Sequence, residues 1–286
     1  MSTMNPRRFA QVDVFSAEPF RGNPVAVVVD GDGLSDHDMQ AFARWTNLSE
    51  TTFLLPPTTA EADYRVRIFT TDEELPFAGH PTLGSAHAWR AAGGTPRTPG
   101  RLVQECAAGL VELREREGRW AFAGPPLTRY EPVDPATLAQ AVAGLRLDPA
   151  DVLDSSWLVN GPVWIGLRLA SAEQVLAIRP DSARLGELFV GVVGPYPEDD
   201  GAAGGDERPD FEVRALMGTG TEDPVTGSLN AGFAKWLMDT GEAPAAYLAA
   251  QGTVLGRAGR VHVAAEDGEI WVGGDTATII EGTVQI

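Results

Sequence analysis

Three ionisable side chains in this sequence have surroundings suited to moving a proton. Glu50 lies in NLSETTF (47–53), between a predicted helix end and an apolar strand, where Leu48 and Phe53 would shield its carboxyl from water. A carboxyl so placed can carry a proton near neutral pH. His80 follows Gly79 at a predicted helix start, where its ring could face a ligand, and Asp223 precedes Pro224 in TEDPVTGS (221–228). Each has a plainer reading: an exposed glutamate at a strand start, a helix-start histidine bonded to a loop, an Asp-Pro turn. The residue types alone leave both readings open.

His80 and Asp223 belong to a stretch that the chain contains twice. TDEELPFAGHPTLGSAHAWRAAG (71–93), shifted by 148 positions, falls on TGTEDPVTGSLNAGFAKWLMDTG (219–241). Thr71/Thr219, Glu74/Glu222, Pro76/Pro224, Gly79/Gly227, Gly84/Gly232, Ala86/Ala234 and Gly93/Gly241 are then identical without a gap. Each copy reads as an acidic loop, a proline, a glycine, then a helix ending near a glycine; in the second, Leu229, Phe233, Trp236 and Leu237 share one face. One copy in each half of the chain points to an internal duplication. Facing each other across a cleft, the two helix starts would offer Gly79-His80 and Gly227-Ser228 to the same space. Backbone N–H groups at such starts favour an anion, so a substrate carboxylate or a forming enolate is the expected occupant. Asp223 departs from the repeat, since its counterpart is Leu75.

The elements that must position these groups follow from pattern. Strands are predicted over 9–15, 25–29, 51–55 and 64–69, and a helix capped by Ser35 or Asp36 runs to Trp45. A hairpin over 103–113 and a strand at 120–123 precede Gly124-Pro125-Pro126, where the unit changes. Asp134 and Pro135 open a helix to Leu145. Two strand-like runs follow within 157–169, helical pieces near 172–178 and 182–188, and strands at 189–193 and 211–216. After the second copy come 253–255, 260–264, 270–273, 276–280 and 283–286, all read as short and β-rich. Pro195–Pro209 is acidic and glycine-rich and is read as a surface loop. The expected fold is α+β: two lobes, residues 1–124 and 125–275, each a curved, largely antiparallel sheet around its own helix, with the last strand, about 276–286, a candidate to return to the first lobe.

Composition excludes several functions. The formal charge of −18 would repel phosphates, so nucleic acid is not an expected partner. No apolar run is long enough to span a membrane, and MSTMNPRRFA has no apolar core of a secretion signal; a cytoplasmic enzyme is expected. Cys106 is alone, so no thiol pair exists within one chain, and His37, His80, His87 and His262 show no metal-ligand spacing. Lys235, the only lysine, lies between Phe233 and Trp236 in a predicted helix, a poor place for a pyridoxal Schiff base.

GNPVAVV (22–28), NLSETTF (47–53), ELPFAGHPTLGSAHAW (74–89), EDPVTGSLNAG (222–232) and QGTVLGRAGRVHV (251–263) together resemble the PhzF-like family, named for an isomerase of phenazine biosynthesis. The resemblance spans nearly the whole chain. It implies the two-lobed fold of diaminopimelate epimerase, with the site in the cleft. In those epimerases one cysteine per lobe acts as acid or base; the matching positions here are Ala78 and Thr226, so two-thiol chemistry is not available. The resemblance further implies that Glu50 is the general acid/base moving a proton between carbons of a dihydro-3-hydroxyanthranilate-like substrate. His80 and Asp223 match the family's site residues, and Gly79, Gly227 and Ser228 its substrate contacts. A homodimer without cofactor is implied as well. Two other readings remain: a two-base racemase or epimerase using Glu50 and Asp223, and a small-acid binding protein without chemistry.

Overall fold

Alternating apolar residues set the first strands. PRRFAQVDV forms β1 (Pro6–Val14) and NPVAVV forms β2 (Asn23–Val28), which pair antiparallel with Phe9 opposite Val28. Ser35 caps α1 (Asp36–Thr46) by accepting from the Asp38 amide, and Asn47, in the left-handed region at φ 55°, ends it. The chain then re-enters the sheet as β3 (Thr51–Leu55), parallel to β2, and turns back as β4 (Tyr64–Phe69). A two-residue β5 (Glu74–Leu75) leads into α2 (Gly79–Ala91). Next are β6 (Arg101–Cys106), parallel to β4, β7 (Gly109–Arg116) and β8 (Arg119–Ala123).

This computed structural model describes residues 5–197 and 208–286, and it divides into two compact units. The first runs to Ala123 and takes back Gly273–Ile286; the second is Gly124–Val272. Within the first, β17 (Thr276–Gln285) lies antiparallel to β1 along its full length. Residues 276–280 and 283–286, expected as two short segments, therefore belong largely to one strand.

The second unit repeats the order of the first. α3 (Pro135–Leu145), capped by Asp134, precedes the antiparallel pair β9 (Asp154–Val159) and β10 (Val163–Arg168). Helices α4 (Ala172–Ala177) and α5 (Ser182–Leu185) connect β10 to its parallel neighbour β11 (Phe189–Pro195). Antiparallel β12 (Phe211–Met217), two-residue β13 (Glu222–Asp223) and α6 (Gly227–Asp239) follow. Then β14 (Ala246–Gln251) lies parallel to β12, before β15 (Gly259–Glu266) and β16 (Glu269–Gly274). α6 starts and ends 148 positions after α2, and β13 stands at the same shift from β5.

Each unit packs a helix against the inner face of its sheet. α2 buries nine residues, Gly79 to Ala86 and Ala88, among strands on several sides. A helix surrounded in this way needs small residues and has no wide polar face, which explains GHPTLGSAHAW. The outer faces are covered by α1, through Met39 and Ala43 against Phe53 and Phe69, and by α3 to α5, through Ala141, Leu145, Val175 and Leu185.

Two expectations require correction. Residues 253–255 form a single 3-10 turn between left-handed Gly252 and Gly256, because those glycines bend the chain away from extension. β14 was not anticipated: AYLAAQ is alanine-rich and has weak strand preference, but all residues after Ala246 are buried and the strand is held by β12 and β15. Residues 198–207 of the expected surface loop lie outside the described residues.

Candidate active site

The head of α2 gathers the first group of candidates. Glu50 occupies the turn between Asn47, where α1 ends, and the first residue of β3. His80, one residue into α2 after Gly79, is 5% exposed. Its Nε2 lies 3.5 Å from Oε2 of Glu50, whose side chain is 16% exposed. Burial lowers the His80 pKa to about 3, opposed by a hydrogen bond to the Pro24 carbonyl. The ring is therefore neutral near pH 7 and offers Glu50 a polar neighbour rather than a counter-ion.

Asn23 completes this group and was not singled out from the sequence. It is buried, and its Nδ2 lies 3.5 Å from Nδ1 of His80. The loop before it is anchored by buried Asp13, whose Oδ2 accepts from the Arg21 and Gly22 amides at 2.9 and 3.0 Å. Gly22 is required there, since a Cβ would stand 2.2 Å from the Val14 carbonyl oxygen. Asn23 is the second residue of the GNPVAVV block, and that block was the available signal.

The head of α6 gathers Asp223, Gly227 and Ser228. Asp223 closes β13, opposite Ala215, and its Oδ2 accepts a 2.8 Å hydrogen bond from the Thr226 hydroxyl. Ser228 is fixed from β10 and the turn before it: Trp164 Nε1 donates to its Oγ at 3.3 Å, and Asn160 Nδ2 donates to its carbonyl at 2.9 Å. Buried Gln251, at the end of β14, reaches the same helix start and was also not singled out.

Neither helix start is capped by its own side chain. Ala78 has nothing to offer, and Thr226 turns its hydroxyl to Asp223 instead. By contrast, Ser35 and Asp134 cap α1 and α3. First-turn N–H groups left without a capping side chain, with glycine as the first helical residue, suit an incoming anion. Ala78 and Thr226 themselves have no group that ionises usefully; the ionisable side chains at these heads include Glu50, His80 and Asp223.

The remaining notable side chains have structural roles. His87 is hydrogen-bonded through its two ring nitrogens to the Thr276 and Thr278 hydroxyls, tying α2 to β17. Lys235 is paired with Asp239 on the surface of α6. Among the described residues there is no cluster of three potential metal-binding side chains, and no helix is long and apolar enough to cross a membrane.

Comparison with known proteins agrees with this architecture. The model of the family described as phenazine biosynthesis-like protein matches residues 12–282. A relative from Pseudomonas aeruginosa, trans-2,3-dihydro-3-hydroxyanthranilate isomerase, is 32% identical, with 96% of this chain and 98% of that protein covered. Antisense-enhancing sequence 1 of Schizosaccharomyces pombe is 34% identical over 98% of this chain and 99% of its own. Among solved structures, a PhzF-family protein from Enterococcus faecalis superposes with TM-score 0.80 at 24% identity, covering 99% of this chain and 100% of that one. A hydroxyproline epimerase from Agrobacterium vitis shares the fold more distantly, with TM-score 0.57 at 14% identity over 98% and 93% of the two chains. A family match across nearly the full length, on an epimerase-like α+β fold, identifies this chain as a member of the phenazine biosynthesis-like family of isomerases.

Proposed function

We propose that this protein is a cofactor-independent isomerase that moves a proton on a small carboxylic acid, with Glu50 as the general acid/base. The observation carrying the proposal is the placement of Glu50: a largely buried carboxyl 3.5 Å from a neutral, buried His80. Such a carboxyl can take a proton from an acidic C–H and return it to the same or a neighbouring carbon. His80 orients the carboxyl, Asp223 contacts the substrate, and Gly79, Gly227 and Ser228 bind it through helix-start backbone groups. The substrate class is a dihydro-hydroxyanthranilate-like or amino-acid-like acid, supported by the activity named for the Pseudomonas relative. The enzyme acts as a homodimer in the cytoplasm.

The test is turnover of trans-2,3-dihydro-3-hydroxyanthranilate in heavy water, followed by proton NMR. A single carboxyl working on one face predicts product that retains part of the substrate hydrogen. Failure to turn over this and a panel of related small acids would reject the reaction class, and full activity in Glu50→Gln would reject the assignment of Glu50.

A further inference from the structure

The amide of Gln251 is used at all four of its hydrogen-bonding positions, and every bond goes to the end of β13 or the first turn of α6 with its N-cap. Its Oε1 accepts from the Thr226 amide at 3.0 Å and from Asn230 Nδ2 at 2.8 Å. Its Nε2 donates to the Asp223 carbonyl at 3.1 Å and to the Thr226 hydroxyl at 3.0 Å. Thr226 in turn donates that hydroxyl proton to Asp223 Oδ2. A hydroxyl has one proton, so a donor on its lone pair leaves the proton for the carboxylate. Gln251 is 1% exposed, so these bonds are shielded from bulk solvent.

The first unit provides an internal comparison. Gln104, fully buried on β6, also reaches the fourth residue of its helix, donating from Nε2 to the Thr82 hydroxyl at 3.0 Å. Thr82 bonds back to the Ala78 carbonyl, as Asn230 bonds back to that of Thr226. There the likeness ends. Gln104 Oε1 accepts from Tyr64, and the residue at the position of Asp223 is Leu75. Gln251, unlike Gln104, lies in the unit that has an acid at the position of Asp223.

We infer that Gln251 is a positioning residue that, through the Thr226 hydroxyl, fixes the orientation of the Asp223 carboxylate at the substrate site. The inference rests on the reading that Asp223 contacts substrate, but its geometry can be tested without substrate. Other charged groups near this turn are Glu222, held by Arg214, and Arg257, whose Cβ and the Pro224 carbonyl both border Gly252. They are common to all the variants compared.

The experiment is carboxyl carbon NMR of the whole protein labelled at aspartate, with the Asp223 signal identified by its absence in Asp223→Asn. Thr226→Val removes the hydrogen bond to the ionised carboxylate and Gln251→Leu leaves the hydroxyl that makes it free to turn away, so both are expected to move that signal and raise its titration midpoint. Thr226→Ser should restore both, and Gln104→Leu should change neither. An unmoved Asp223 signal in Gln251→Leu, or in Thr226→Val should the glutamine variant not fold, overturns the inference. Absence of turnover by the wild-type protein would instead strike the proposed function and leave the link from Gln251 to Asp223 to be decided by the NMR signal.

Discussion

Nε2 of His80 and Oε2 of Glu50 lie 3.5 Å apart, the one carried by the first turn of α2 and the other by the turn into β3. Burial keeps the imidazole neutral, so this is an approach of two polar groups rather than an ion pair near pH 7.

Replacing Glu50 by Gln keeps the shape and polarity of the side chain and removes its ability to exchange a proton. Turnover should fall about 10²- to 10⁴-fold. The melting temperature should stay close to wild type, which separates loss of chemistry from loss of fold. Kinetics and a thermal melt on the same preparation check both.

His80 makes stability depend on pH. Its pKa is lowered by burial from 6.5 to about 3, so across that window the unfolded chain binds a proton at this ring that the folded chain does not. Stability therefore falls as pH drops below about 6.5 and is insensitive to this group above it. His80→Asn should flatten the dependence below about pH 6.5, removing a slope that approaches about 1.4 kcal/mol per pH unit as the unfolded ring becomes fully protonated near pH 5. Denaturant titrations of both proteins at several pH values measure the difference.

Arg214 is 2% exposed and forms a two-pronged pair with Glu222 at 2.7 and 2.9 Å. It also donates to the Val175 and Ile178 carbonyls at the end of α4. Arg214→Met should cost about 3–5 kcal/mol, because it leaves a mostly buried carboxylate without its partner. The double variant with Glu222→Gln should recover part of that loss. Urea unfolding of the three variants tests the coupling.

The matched glycines Gly84 and Gly232 should respond differently to alanine. A Cβ on Gly84 would stand 2.3 Å from Val25 Cγ1, whereas one on Gly232 would meet Leu158 Cβ at 3.1 Å. Gly84→Ala should destabilise by about 1–3 kcal/mol through overpacking. Gly232→Ala should be milder, since the gain in helix preference, about 1 kcal/mol, offsets the tighter contact. Val25→Ala combined with Gly84→Ala should recover stability, as read from melting midpoints.

Much of the fold was legible. β3 falls where the TTFLL run closed by Pro56-Pro57 puts it, β4 where alternation does, and α3 where the Asp134-Pro135 start does. The repeat also indicated the shared length of α2 and α6. β14 was hidden because alanines acquire strand character only from the neighbours that bury them, and sequence pattern shows no neighbours. The contact of Glu50 with His80 was equally beyond spacing, since it depends on β3 and α2 being laid against each other by the sheet. Asn23 and Gln251 were in view within the blocks that carried the family resemblance. Their importance lies in what their amides touch, and residue type does not disclose that.

The antiparallel seam of β17 on β1 joins the two ends of the sequence inside one unit. On a ribosome, the segment up to Ala123 is made well before the 273–286 segment that covers the edge of β1, with Gly124–Val272 made in between. A lesion in 276–285 would therefore be felt in the unit that holds Glu50, far from it in the order of synthesis.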